Sequence, residues 1–247
     1  MKRPILIQGK ALSSRTLKQA LTNSYGKNRT KEGFDGYEPV SNLTDTEAQV
    51  YYNPKTQQAI VSHRGTQGFG DVFQDVAYGL TGYKGRRFKK AERVQKEAER
   101  MFGSQNVSTV GHSLGSLISS DVGRNSKEII NYNKPIVPFG RKRENEYVVK
   151  TSNDPFSWFY KTKKNDPKVK TIESKSINPL YEHSTDRLDA LNPEEMIGLR
   201  SGAGLKVKEL KQLIKDHNKK AKSPMKIKGY GMMKKKELQG IVHSFHL

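Results

Sequence analysis

One serine in this chain stands where a nucleophile could. Asn106-Val107-Ser108-Thr109-Val110 reads as a strand, and Gly111-His112-Ser113-Leu114-Gly115 follows it at once. A strand, then Gly-x-Ser-x-Gly, then a helix turns the backbone sharply at the serine. A side chain two residues before or after the serine would collide with that turn. Glycine at positions 111 and 115 removes the Cβ and tolerates unusual backbone angles. The Ser113 hydroxyl is then presented above the sheet edge, beside a helix N-terminus. The chemistry open to it is attack on a carbonyl carbon. A serine hydroxyl is a poor nucleophile near neutral pH. It needs an imidazole to take its proton and a carboxylate to orient that imidazole. A Gly/Ser-rich turn with no chemistry would show the same five residues, so the surroundings decide between the two.

Behind such a turn the acid and then the base follow the serine in chain order, each after a strand. For the acid, Glu146–Thr151 is a strand and Ser152-Asn153-Asp154-Pro155 follows directly, which puts Asp154 at a strand's C-terminal end. Its alternative reading is a turn-forming Asn-Asp-Pro. Asp166 repeats that tripeptide after a lysine-rich stretch and reads as a surface turn, while Asp121 lies on the helix after the serine and points away. For the base, His112 belongs inside the turn and His63 precedes the acid. His217, His243 and His246 fall in the basic C-terminal region, which leaves His183 as the best fit to the order. An oxyanion needs preorganised N–H donors. Leu114 is expected to supply the first from its backbone. Thr66, in the loop after Ile60-Val61-Ser62-His63-Arg64-Gly65, is expected to supply the second. An ordinary Gly-Thr turn would look the same.

The elements that must hold these residues alternate. Before the serine, Ala91, Val94, Ala98, Met101 and Phe102 recur at helical spacing over 85–102. After it, Leu114, Leu117, Ile118 and Val122 do the same up to Gly123. Val50–Tyr52 and Ala59–Val61 flank an Asn-Pro turn and read as a hairpin. Further strands are expected at Tyr132–Val137, Glu146–Thr151 and Val169–Ile172. This mixed order predicts an α/β fold with a mostly parallel sheet and crossover helices. Residues 1–36 have weak periodicity, with only Leu12, Leu17 and Leu21 in helical phase, and read as an arm or outer helix. The hydrolase-like domain is expected over 37–197, a linker over 198–204 and a basic helical module over 205–247.

Composition sets the outer limits. The chain has 247 residues, is 33% hydrophobic and carries 45 Lys and Arg against 25 Asp and Glu, a net charge of +20. With no cysteine there is no disulfide framework and no thiolate metal site, and the motifs call for no metal or cofactor. Ile5-Leu6-Ile7 is too short an apolar run for a signal peptide, and no stretch approaches a membrane span. A cytoplasmic or virion-associated location is expected. Residues 205–247 hold twelve lysines and three acidic residues, a net +9. Leu205, Val207, Leu210, Leu213 and Ile214 form an apolar stripe, and Lys234-Lys235-Lys236-Glu237-Leu238 opens a second helix. Lys228, Lys234, Lys235 and Lys236 would contact phosphates and release counterions, giving salt-sensitive binding with little base reading. A solvated helical pair, or one that binds an anionic membrane surface, is the plainer alternative.

His63-Arg64-Gly65-Thr66, Asp71-Val72-Phe73-Gln74-Asp75, Gly111–Gly115, Asp154-Pro155-Phe156-Ser157 and His183 together resemble the class 3 lipases, over roughly residues 40–190. The resemblance implies an α/β-hydrolase fold, a Ser113–Asp154–His183 triad, Thr66 and Leu114 at an oxyanion hole, and metal-free hydrolysis of carboxylic esters, often lipid esters. The chain departs at His63, where the family usually has an aromatic residue, and at Phe73, where it usually has Trp. Its stretch from Gln67 to Arg87 is short and glycine-rich for a full amphipathic lid. The C-terminal region resembles a SAP-type helix-extended-helix module, which implies DNA binding, and the combination suits a virus-encoded protein. The expected activity is that of a lipase or esterase. The competing expectation is a non-catalytic protein, bound to nucleic acid or a particle, on a degenerate hydrolase fold.

Overall fold

The structure is a computed structural model that describes residues 11–26, 32–66, 85–135, 143–157, 166, 168–174 and 176–198, and in the C-terminal region 207, 211–212, 214–215, 218, 228–234 and 237–238. Contacts divide the chain into two units, Met1–Gly198 and Leu199–Leu247.

In the first unit, β1 (Leu12–Ser13) leads into α1 (Ser14–Asn23), and β2 (Glu38–Pro39), β3 (Ala48–Asn53) and β4 (Gln58–His63) follow. Next come α2 (Arg86–Phe102), β5 (Val107–His112), α3 (Leu114–Val122), β6 (Glu128–Tyr132), β7 (Glu146–Thr151), β8 (Val169–Ile172), α4 (Pro179–His183) and β9 (Met196–Ile197). Strands β2 to β8 form one seven-stranded sheet in that order, and β1 pairs separately with β9. The β2–β3 and β3–β4 pairings are antiparallel. The pairings from β4 through β8 are parallel. This is an α/β fold with a mostly parallel sheet and crossover helices, and the parallel strands align their C-terminal ends along one edge.

Both faces of the sheet are covered. Along β4, Ile60 packs in the cluster that holds Leu17 and Leu21 of α1, while Ala59 and Val61 pack with Val94 and Ala98 of α2. That alternation is the two-residue period of a strand buried on both faces. The N-terminal stretch read as an arm or outer helix contains α1, and α1 is packed rather than loose. Its Leu17, Ala20 and Leu21 are fully buried, and Ser13 caps it by accepting from the Thr16 N–H at 3.0 Å.

Two expectations need correction. The strand expected at Tyr132–Val137 lies upstream at Glu128–Tyr132, and residues 136–137 are outside the described ones. Glu128 and Asn131 are both fully buried. Ser108 Oγ donates to Glu128 at 2.6 Å, and Asn131 Nδ2 donates to Glu146 at 2.8 Å. Paired polar groups can occupy core positions, and an apolar pattern does not register them. On α2, Ala91, Val94 and Ala98 are buried as expected, but Met101 is 45% exposed. It sits at the edge of the stripe in the last turn, where Phe102 instead stacks on Tyr52 with centroids 4.6 Å apart.

In the second unit Ile214 and Leu238 are fully buried, whereas Val207, expected in the apolar stripe, is 37% exposed. No helix among the described residues is long and apolar enough to cross a membrane.

Candidate active site

The serine turn joins β5 to α3. Ser113 has φ 54° and ψ −129°, a conformation that costs a non-glycine residue on the order of 1–3 kcal/mol and persists only where the surroundings impose it. They do so on both sides. A Cβ on Gly111 would overlap the Gly115 carbonyl, and one on Gly115 would overlap the His63 carbonyl at the end of β4. The Ser113 N–H donates to the Tyr132 carbonyl at 3.1 Å, and its own carbonyl accepts from the Ser116 N–H at 2.9 Å. The hydroxyl is buried and has no hydrogen-bond partner among the described residues. Leu114 opens α3 and is 5% exposed, with its N–H at the positive end of the helix.

Asp154 and His183 meet. Thr151 ends β7, and Asp154 follows three residues later with no exposed surface. Its Oδ2 accepts from the Ser157 N–H at 2.7 Å. Its Oδ1 lies 2.6 Å from His183 Nδ1. A carboxylate can only accept, so Nδ1 carries the hydrogen. In the neutral ring the lone pair is then on Nε2. His183 is the last residue of α4. Asn178 caps that short helix, accepting from the Leu180 N–H at 3.0 Å, and Pro179 occupies its first turn. The His183 ring packs edge-on against Phe156 at 4.7 Å and lies tilted against the His112 ring at 4.9 Å.

His112 is buried within the turn, as its place in the motif suggests, and it is also wired. Its Nε2–H donates to the His183 carbonyl at 2.7 Å. Burial, helped by the neighbouring His183 ring, pushes its pKa down to about 3, so the ring is neutral and Nδ1 accepts. Tyr25 Oη is the donor to it, at 2.8 Å. His63 is structural: buried between β4 and α2, it donates from Nε2 to Gln95 Oε1 at 3.1 Å, and burial pushes its pKa down to about 4.

The loop after β4 lies beside the serine turn, because His63 pairs with Gly111 across parallel strands. A Cβ on Gly65 would come within 3.2 Å of Ser113 Cβ, so the Gly65 backbone passes next to Ser113. Arg87 fixes this loop. Its guanidinium donates to the carbonyls of Arg64 at 2.6 Å and Gly65 at 2.8 Å, and it pairs with Glu47 at 2.6 Å.

Sequence reasoning missed Tyr25, Glu47 and Arg87. Each reaches the site through a tertiary contact that no local spacing encodes. Asp71–Asp75 and the lid question fall in 67–84, outside the described residues, as do Lys235 and Lys236. Lys228 and Lys234 are exposed in the second unit. Asp166 makes a half-buried turn, accepting from the Lys168 N–H at 2.9 Å and from the Val169 N–H at 3.0 Å. Among the described residues no His, Cys, Asp or Glu side chains gather into a metal-ligand set.

The fold and this site define an α/β protein with a serine turn, a buried acid–imidazole pair and a backbone loop at one sheet edge. No family model matches the chain, and no curated protein matches it. Among solved structures it is similar to the Lip2 lipase of Yarrowia lipolytica, with a TM-score of 0.35 and 12% identity over 51% of this chain and 63% of that one. The chain thus spans less than two thirds of that lipase.

Proposed function

We propose that this chain is a serine hydrolase of carboxylic esters, lipid esters among them, acting through an acyl-enzyme. The observation that carries this reading is the 2.6 Å contact of Asp154 with His183, both buried, on a segment hydrogen-bonded to the residue before Ser113. In this mechanism His183 Nε2 takes the Ser113 proton as Oγ attacks the ester carbonyl carbon. The backbone N–H groups of Leu114 and Thr66 receive the developing oxyanion, each such donor contributing about 10²–10³ in rate. His183 then protonates the leaving alcohol. Water, activated by the same imidazole, releases the acid and frees the serine. Asp154 keeps the ring in the required tautomer.

The lipid character of the substrate is supported by the segment leading into His183. Ile177 is 94%, Leu180 52% and Tyr181 44% exposed. Three large apolar side chains held in solvent within residues 177–181 suit an apolar substrate.

The test is turnover of p-nitrophenyl esters of short and medium acyl chains, with Ser113→Ala as the comparison. The wild-type protein is expected to release p-nitrophenol and to be labelled by a fluorophosphonate probe at Ser113, and the variant to do neither. A wild-type protein that shows no turnover and no labelling overturns the reading.

A further inference from the structure

One hydroxyl outside the expected site touches two of its parts and reaches a third through His112. Tyr25 follows α1, and its Oη accepts from the Gly65 N–H at 3.0 Å while donating to His112 Nδ1 at 2.8 Å. His112 in turn donates from Nε2 to the His183 carbonyl at 2.7 Å. The contacts run in one direction: Gly65 N–H to Tyr25, Tyr25 to His112, His112 to His183. Every donor has an acceptor, and the direction is forced at both ends, since an amide N–H only donates and a carbonyl only accepts. The space is tight as well: a Cβ on Gly65 would overlap Tyr25 Oη. The ring lies edge-on to His112 at 5.6 Å. Burial pushes the phenol pKa up, so the hydroxyl keeps the proton that this chain of bonds needs.

We infer that Tyr25 is a positioning residue for acyl transfer, joining the Gly65-Thr66 loop to the His183 segment through the serine turn. This rests on the ester-hydrolase reading. The backbone that would offer an N–H to the oxyanion and the backbone that carries the base are held in register by a side chain that follows the N-terminal helix. Fixed donors assist only where the transition-state charge forms, so a loosened loop lowers kcat and leaves substrate binding nearly untouched. Partners of this kind, one step removed from the reacting groups, commonly change activity by about 10–100-fold.

Two measurements on the full chain test this. The first needs no variant: ¹⁵N NMR of the histidine rings should report His112 as the neutral Nε2–H tautomer from pH 5 to 8. The Nδ1–H tautomer or an imidazolium there would reverse or break the chain and overturn the inference, whether or not the protein is active. The second compares wild type with Tyr25→Phe, with active sites counted by fluorophosphonate labelling. The expected result is a 10–100-fold lower kcat per active site, slower labelling, and KM within twofold. An active wild type whose Tyr25→Phe variant keeps its kcat within twofold, even with a lower Tm, makes Tyr25 merely structural. A wild type inactive toward esters and probe fails the function reading instead, and leaves the NMR result to judge the network on its own.

Discussion

Asp154 can lose its charge without losing its shape. In Asp154→Asn the amide fills the same volume, and its oxygen can still accept from the Ser157 N–H, now held at 2.7 Å. What it cannot do is hold a hydrogen on His183 Nδ1 with a full negative charge while stabilising the imidazolium that the proposed attack would form. The expected outcome is a loss of about 10³–10⁴ in kcat with a melting temperature close to wild type, read by ester turnover and thermal denaturation. A variant retaining a tenth of wild-type kcat would remove the acid from the mechanism. At this scale the contact of Asp154 with His183 was legible, because both follow from chain order and from what precedes each. Tyr25 was not, since it lies 40 positions from Gly65 and 87 from His112, in a stretch whose periodicity is weak. Nothing local marks a tyrosine whose partners are set by how a helix docks.

The elements carry the geometry through close contacts that only glycine allows. Gly115 sits where α3 begins and β4 ends, and a methyl group there would overlap the His63 carbonyl and come within 2.8 Å of the Arg64 carbonyl carbon. Those are backbone atoms at the end of a buried strand and one residue past it, which cannot rotate away as a side chain could. Gly115→Ala should therefore shift α3 against β4, costing about 1–3 kcal/mol of stability and separating the proposed Thr66 and Leu114 donors. Urea denaturation and kcat should fall together. Wild-type stability would mean that the serine turn and the β4 loop do not approach as described. The strand–turn–helix was readable because its requirements are local: strand-forming residues, glycines at fixed offsets and an apolar stripe. The strand at Glu128–Tyr132 was misplaced because its polar members are satisfied by partners on neighbouring strands. That pairing exists only once the sheet is assembled.

Across the whole molecule, two imidazoles are kept neutral inside the first unit, and this ties folding to pH. His63 and His112 have their pKa values pushed down to about 4 and about 3, chiefly by burial, whereas an unfolded histidine titrates near 6.5. Between pH 6.5 and those lower values the unfolded chain takes up protons that the folded chain refuses. Stability therefore rises with pH in that window, is fully present above about 6.5, and is lost on acidification. Each ring contributes a slope of roughly 1.4 kcal/mol per pH unit once the unfolded state is fully protonated. Urea denaturation at a series of pH values from 7.5 down to 4.5 should show the decline. In His63→Gln, whose amide can still meet Gln95, the slope between pH 6 and 4.5 should fall by about 1.4 kcal/mol per unit. If that variant keeps the wild-type slope, His63 is protonated in the folded protein. A charge would then sit between β4 and α2 where the structure provides one amide oxygen, and the packing of that face would have to open to admit water.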